Sequence, residues 1–144
     1  GKSRFYNIKG DLLIDENFFL GLKNGYTKQW NEEGKLIETF KYEHGIPVYM
    51  KYSDDNEYII EWIGEMFKNG SIKNVYDKSG YYLLEKCEFL EDYRLIRTLY
   101  YENSKQVKLK CETSIGRNLF YGFYKEYHKN GRLMTDGNYS NTNR

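Results

Sequence analysis

Few residues in this chain are suited to nucleophilic, acid–base or metal chemistry. Its histidines are His44 and His128, its cysteines Cys87 and Cys111, and its densest acidic run is Asp54-Asp55-Asn56-Glu57. A general base needs an orienting partner and a pocket. His44 precedes Gly45 and His128 precedes Lys129-Asn130-Gly131, turn contexts that expose a side chain to water. Both histidines therefore read as solvated turn residues. The two thiols and two imidazoles lack the short ligand spacings of a zinc site. The acidic run lacks the central Gly and distal Glu of a calcium loop, so it reads as a solvated tip. No catalytic residue, metal or cofactor is expected, and the chain reads as a non-enzyme.

The elements that must carry these residues follow from composition. The chain has 144 residues, a single Pro, 13 Gly and 16 Tyr, and it contains no Ala. Discarding the best helix former while keeping turn and strand residues points to an all-β fold. Lys+Arg 22 against Asp+Glu 21 leaves a net charge of +1, which removes the electrostatic case for a nucleic-acid partner. No apolar run approaches the roughly 18 residues of a spanning helix, so an integral helical membrane protein is not expected. The chain begins Gly1-Lys2-Ser3 rather than with Met, which reads as a trimmed start. An exported or envelope location is accordingly favoured over a cytoplasmic one. Residues 1–4 read as a remnant or lead-in, and residues 5–144 as one domain.

Turn signals recur regularly along that domain. Gly10, Gly34, Asn56, Gly80, Ser104 and Gly131 form one series, and Gly21, Gly45, Gly70, Asp92, Gly116 and Asn141 form another between them. Within each series the steps are 22 to 27 residues. Turns about twelve residues apart, separated by aromatic and β-branched residues, predict short antiparallel strands, and a doubled period of about 24 predicts a repeat array. Lys86-Cys87-Glu88 returns as Lys110-Cys111-Glu112, and the Gly25-Tyr26, Trp30, Gly34-Lys35-Leu36 series returns as Gly122-Phe123, Tyr127, Gly131-Arg132-Leu133.

Taking Glu32-Glu33-Gly34 as a three-residue loop closed by a left-handed glycine places Asn31 opposite Lys35, Trp30 opposite Leu36 and Tyr26 opposite Phe40. The same construction on Lys68-Asn69-Gly70 sets Met66 opposite Ile72 and Trp62 opposite Tyr76. On Lys129-Asn130-Gly131 it sets Tyr127 opposite Leu133 and Phe123 over Gly137. Tyr6/Leu12 and Tyr76/Tyr82 share that spacing. Between residues 26 and 76 the even positions are then mainly apolar and the odd ones mainly charged, which predicts one aromatic face and one charged face. Cys87 and Cys111, one repeat apart, fall about 9–10 Å from each other, beyond disulfide reach. Two free thiols packed on one face are expected.

The stretch from Gly122 to Tyr139 (GFYKEYHKNGRLMTDGNY) resembles a MORN repeat of the bacterial variant type, whose units read Gly-aromatic, aromatic, Asn-Gly-x-Leu, Gly-x-Tyr. Residues 25–45 match nearly as well, with Phe40 where the pattern prefers Gly, and the stretches around Gly10, Gly70, Gly80 and Ser104 are degenerate copies. The resemblance implies a single-layer antiparallel meander of about six tandem β-hairpins, elongated and curved. It also implies a platform for protein partners, antitoxin-like or surface-associated in bacterial members, with phospholipid binding at a membrane surface as the alternative. The aromatic face is the expected binding surface, with Tyr26, Trp30, Phe40, Tyr42, Trp62, Tyr76, Phe123, Tyr127 and Tyr139 as its candidate residues. An open array also has two free edges through which copies of the chain can self-associate.

Overall fold

The protein is described by a computed structural model covering residues 1–115 and 119–143, with side chains described for 1–115 and 122–138. The first strands are β1 (Lys2–Tyr6), β2 (Leu12–Phe19), β3 (Leu22–Lys23), β4 (Gly25–Trp30), β5 (Leu36–Glu43) and β6 (Ile46–Ser53). They continue as β7 (Ile59–Ile63), β8 (Ile72–Tyr76), β9 (Leu83–Phe89) and β10 (Arg94–Tyr100). The last are β11 (Val107–Ser114), β12 (Leu119–Tyr127) and β13 (Leu133–Asn143). All belong to one antiparallel sheet in chain order, with β3 a short branch paired to β2. The chain is thus all-β, a single open meander of hairpins. Residues 1–4 are not a lead-in: Lys2–Tyr6 is the first strand, and the Gly1 amino group donates to the Phe18 carbonyl. Gly116 lies outside the described residues, and Asn141 falls within β13 rather than at a turn.

Two turn chemistries alternate along the ribbon. In the first, a side-chain oxygen holds the turn closed. Asn7 Oδ1 accepts from the Lys9 and Asp11 amides, Asn31 Oδ1 from Glu33 and Lys35, and Asp54 Oδ1 from Asn56 and Tyr58. Asp77 Oδ1 accepts from Tyr81 in the fourth hairpin. The residue three positions on from each is left-handed: Gly10, Gly34, Glu57 and Gly80, at φ 87°, 81°, 68° and 77°. In the second chemistry, both central residues have positive φ, as in Leu20-Gly21, His44-Gly45 and Asp92-Tyr93, the two-residue turns whose twist matches that of the strands.

The pairs that close the first kind of turn are those the spacing predicts: Tyr6 with Leu12, Trp30 with Leu36, Tyr127 with Leu133, and the Asn31 amide to the Lys35 carbonyl. One step further from the turn the register slips. Gln29 pairs with Glu38, Val75 with Glu85 and Glu126 with Thr135, so Ile37, Leu84 and Met134 are extra residues on their strands. Leu13 and Lys108 are extra in the same way. A one-residue bulge moves every later side chain to the other face. Phe40 therefore stands opposite Thr27 rather than Tyr26, and Gly137 opposite Tyr124 rather than Phe123. Tyr76 closes on Leu83 rather than Tyr82.

The turn at Lys68-Asn69-Gly70 also differs from the three-residue loop. Residues 64–70 fold as a longer segment with positive φ at Gly64, Phe67 and Gly70, and β7 resumes pairing at Ile63 with Ile72, which puts Trp62 opposite Lys73. This segment lays Phe67 onto the sheet, with its ring centroid 5.0 Å from that of Trp62 and 5.4 Å from that of Phe89. Trp62 stacks on Phe89 at 5.4 Å and is 1% exposed. Around this pair Met50, Ile60, Cys87 and Leu95 complete a buried cluster, with Phe40, Tyr52, Val75 and Ile115 packed against it. A single layer thus makes its core by folding a loop over the middle of one face. Trp62→Ala should lower the unfolding free energy by about 3–5 kcal/mol. Trp30→Ala, at a half-buried turn position, should cost well under half of that. Urea denaturation of the two variants makes the comparison, and equal losses would move the core away from Trp62.

Candidate functional site

Directly opposed residues share a face, so the ladder sorts the candidate aromatics. The row Thr27, Phe40, Met50, Trp62, Lys73, Cys87, Arg97, Cys111, Tyr124 defines the core face. Phe40 and Trp62 belong to it, and Tyr42 lines a groove on it beside Phe40. Tyr26, opposite Lys41, lies on the other face and is 47% exposed. Tyr76 is on that other face too, and so is Phe123, two residues from Lys125. Trp30 and Tyr127 sit at the ends of their strands beside turns. Tyr139 is opposite Gly122 in the register, and its side chain lies outside the described residues. The nine rings therefore do not form one surface, because the bulges change the face. The signal that could have shown this is an apolar doublet after the turn: Leu12-Leu13, Leu36-Ile37, Leu83-Leu84 and Leu133-Met134. Strict alternation has no place for two adjacent apolar residues.

Among the described residues, the core face presents no activated thiol. Cys87 and Cys111 are free and buried, each opposite Arg97. This is the arrangement their spacing predicts. The Cys87 thiol donates to Glu85 at 3.2 Å, and Glu85 also pairs with Arg97 at 2.9 Å. Burial, with the Glu85 charge beside it, pushes the Cys87 thiol up to about 12, and burial raises Cys111 as well. A thiol kept protonated at neutral pH is a small apolar core residue.

The opposite face carries a polar clasp that sequence reasoning missed. Glu61 stands between Lys51 and Asn74, directly opposite on either side, with Tyr49 and Tyr76 on the diagonals. Its Oε2 accepts from the Tyr49 hydroxyl at 2.7 Å, and its Oε1 from Asn74 Nδ2 at 3.1 Å and the Tyr76 hydroxyl at 3.0 Å. Burial alone would raise the carboxyl; the three donors outweigh it and hold Glu61 below the usual carboxylate value. Burial and the Glu61 charge raise both phenols. A carboxylate with its acceptors filled, beside phenols that resist ionising, ties strands together rather than moving protons.

Two of the concave surfaces bear on binding. One is a groove of about 280 Å³ on the core face over β2, β4 and β5, lined by Ile14, Glu16, Lys23, Thr27, Gln29, Glu38, Phe40 and Tyr42. Here the Phe40 ring lies 6.1 Å from Tyr42, Lys23 Nζ sits 5.1 Å over the Tyr42 ring, and the Thr27 hydroxyl has no hydrogen-bond partner. The other is a larger cleft of about 970 Å³ along the edge formed by the side-chain-closed turns. His44 and His128 sit in exposed turns away from both. Among the described residues, no three His, Cys, Asp or Glu side chains are placed to hold a metal ion, and no helix is long and apolar enough to cross a membrane.

Two measurements check these assignments. Neither thiol should react with a thiol reagent at pH 8 in the folded protein, and both should react after denaturation. Rapid labelling of Cys87 in the native state would contradict its burial. Glu61→Gln should lower stability by about 1–3 kcal/mol at neutral pH. The Glu61 contribution is present above the unfolded carboxylate value and lost as pH falls through the lower folded one. The gap between variant and parent should therefore close in acid, and a gap that persists at low pH would assign the loss to packing instead. Comparison with family models, with curated proteins and with solved structures finds no match to this chain.

Proposed function

We propose that the chain is a non-enzymatic MORN-like repeat module that binds a protein partner through the groove over β2, β4 and β5. The observation that carries this reading is the uneven cover of the core face. Over β7 to β9 the segment 64–70 roofs that face with Phe67, whereas over β2 to β5 Phe40, Tyr42 and Ile14 line an open groove. A partner side chain placed there would do for the first hairpins what Phe67 does for the middle ones. The groove is lined by the apolar Ile14, Phe40 and Tyr42 together with the polar Glu16, Lys23, Gln29 and Glu38, a mixed lining of the kind protein-recognition patches carry. Partners of the kind the repeat resemblance implies, antitoxin targets or surface proteins, fit a preformed and catalytically inert platform.

The test places a photo-crosslinking phenylalanine analogue at residue 42, and in a separate variant at residue 41 on the opposite face, in cells of the source organism. A discrete protein adduct is expected from position 42 alone, and Phe40→Ala in the same chain should suppress it. With the partner in hand, Tyr42→Ala should weaken the complex by about 2 kcal/mol, roughly thirtyfold. Equal adducts from both positions, or only lipid adducts from position 42, would overturn the reading.

A further inference from the structure

The larger cleft carries a separate assignment, which rests on the protein-partner reading and names the chemistry of a second contact. It runs along the turn-side edge from Tyr58, which precedes β7, to Lys129, which follows β12. Five inter-strand steps at about 4.8 Å make it roughly 24 Å long, the span of about seven residues of extended chain. Tyr100 and Tyr101 form part of its wall, and Tyr101 is fixed because its hydroxyl donates to the Tyr127 carbonyl. Lys108 Nζ and Lys129 Nζ each lie 5.9 Å from the centroid of the same Tyr101 ring. Among the described residues neither ammonium has a carboxylate within ion-pair distance, whereas Lys78, in the same cleft, pairs with Glu57.

Two like charges gathered at one ring repel each other, and an anion set between them relieves that repulsion. Lys108 is one of the extra residues at the bulges, so the break in register is what turns its side chain out at this edge. The cleft also holds acceptors, the Asp77 and Glu102 carboxylates and the Asn103 amide. A uniformly polyanionic chain would be repelled by Glu102. A peptide that alternates acidic side chains with backbone N–H donors matches both sets of groups. We propose that this cleft binds an extended acidic peptide segment of the protein partner, with Lys108 and Lys129 gripping its carboxylates.

The test selects a phage-displayed random octapeptide library on the intact chain, then measures the recovered peptides on Lys108→Ala/Lys129→Ala and on Tyr42→Ala. Both lysines are solvent-exposed, so the double variant should keep its circular dichroism spectrum and melting temperature. The expected result is enrichment of peptides with two or more Asp or Glu residues that bind the double variant at least tenfold more weakly. Their binding should fall as salt rises and should be indifferent to Tyr42→Ala. Selected peptides without acidic enrichment, or with unchanged affinity for the double variant, would overturn the assignment. So would failure to select any peptide while a sulfated oligosaccharide binds. Peptides that ignore the lysines but are lost on Tyr42→Ala would sink this cleft and leave the sheet-face groove standing.

Discussion

A strand side chain has only two sides to go to, and in this chain the side is decided at the hairpin turns, where one strand carries a residue its partner lacks. Leu13, Ile37, Val48, Leu84, Lys108 and Met134 are such residues. The core depends on them. Trp62 and Cys87 share a face, although one is even and the other odd, and they meet across Lys73. Without the bulge at Leu84, Cys87 and Phe89 would turn to the face that holds Glu88 and Lys86. Trp62 would then lose the ring it stacks on. The turn chemistry and the core are therefore one device: an Asx oxygen fixes the turn, the bulge follows, and the packing inherits the phase.

A sheet with no second layer cannot bury whole side chains generally, and the distribution of polar atoms reflects this. Tyrosine is the frequent solution because its ring packs on a neighbour while its hydroxyl finds an acceptor. Tyr49 and Tyr76 donate to Glu61, Tyr101 to a main-chain carbonyl, and Tyr124 to Glu126. Cys87, Cys111 and Glu61 are each held in the protonation state that suits packing or pairing, and their neighbours reinforce that state.

The hairpin count, most turn positions, the closing pairs Tyr6–Leu12, Trp30–Leu36 and Tyr127–Leu133 and the alignment of the two cysteines were legible in the sequence, because each is set by local spacing and by Gly, Asn and Asp. The division of the rings between faces was not. Parity carried through the turns assigns Tyr26, Tyr76 and Phe123 to the face of Phe40, and each bulge breaks that inference. The doublet Leu36-Ile37 is the trace of one such bulge. The roof over Trp62 was illegible for another reason. Gly64 and Gly70 look like ordinary turn glycines, and only tertiary packing brings Phe67, at φ 63°, back onto the sheet.

The roofed and open parts of the core face then follow from hairpin connections of unequal length. The second hairpin boundary, at His44-Gly45, is a two-residue turn with no chain to spare, whereas the third spends residues 64–70 on cover. Shortening a connection leaves the adjoining strands paired but their face bare, so Phe40 and Tyr42 line an open groove. Lengthening it hides the equivalent ring, Trp62, almost completely. In this meander, buried and open rings are separated by connection length rather than by residue type. The aromatic side chains that stabilise one hairpin are, two strands away, the ones left open to contact.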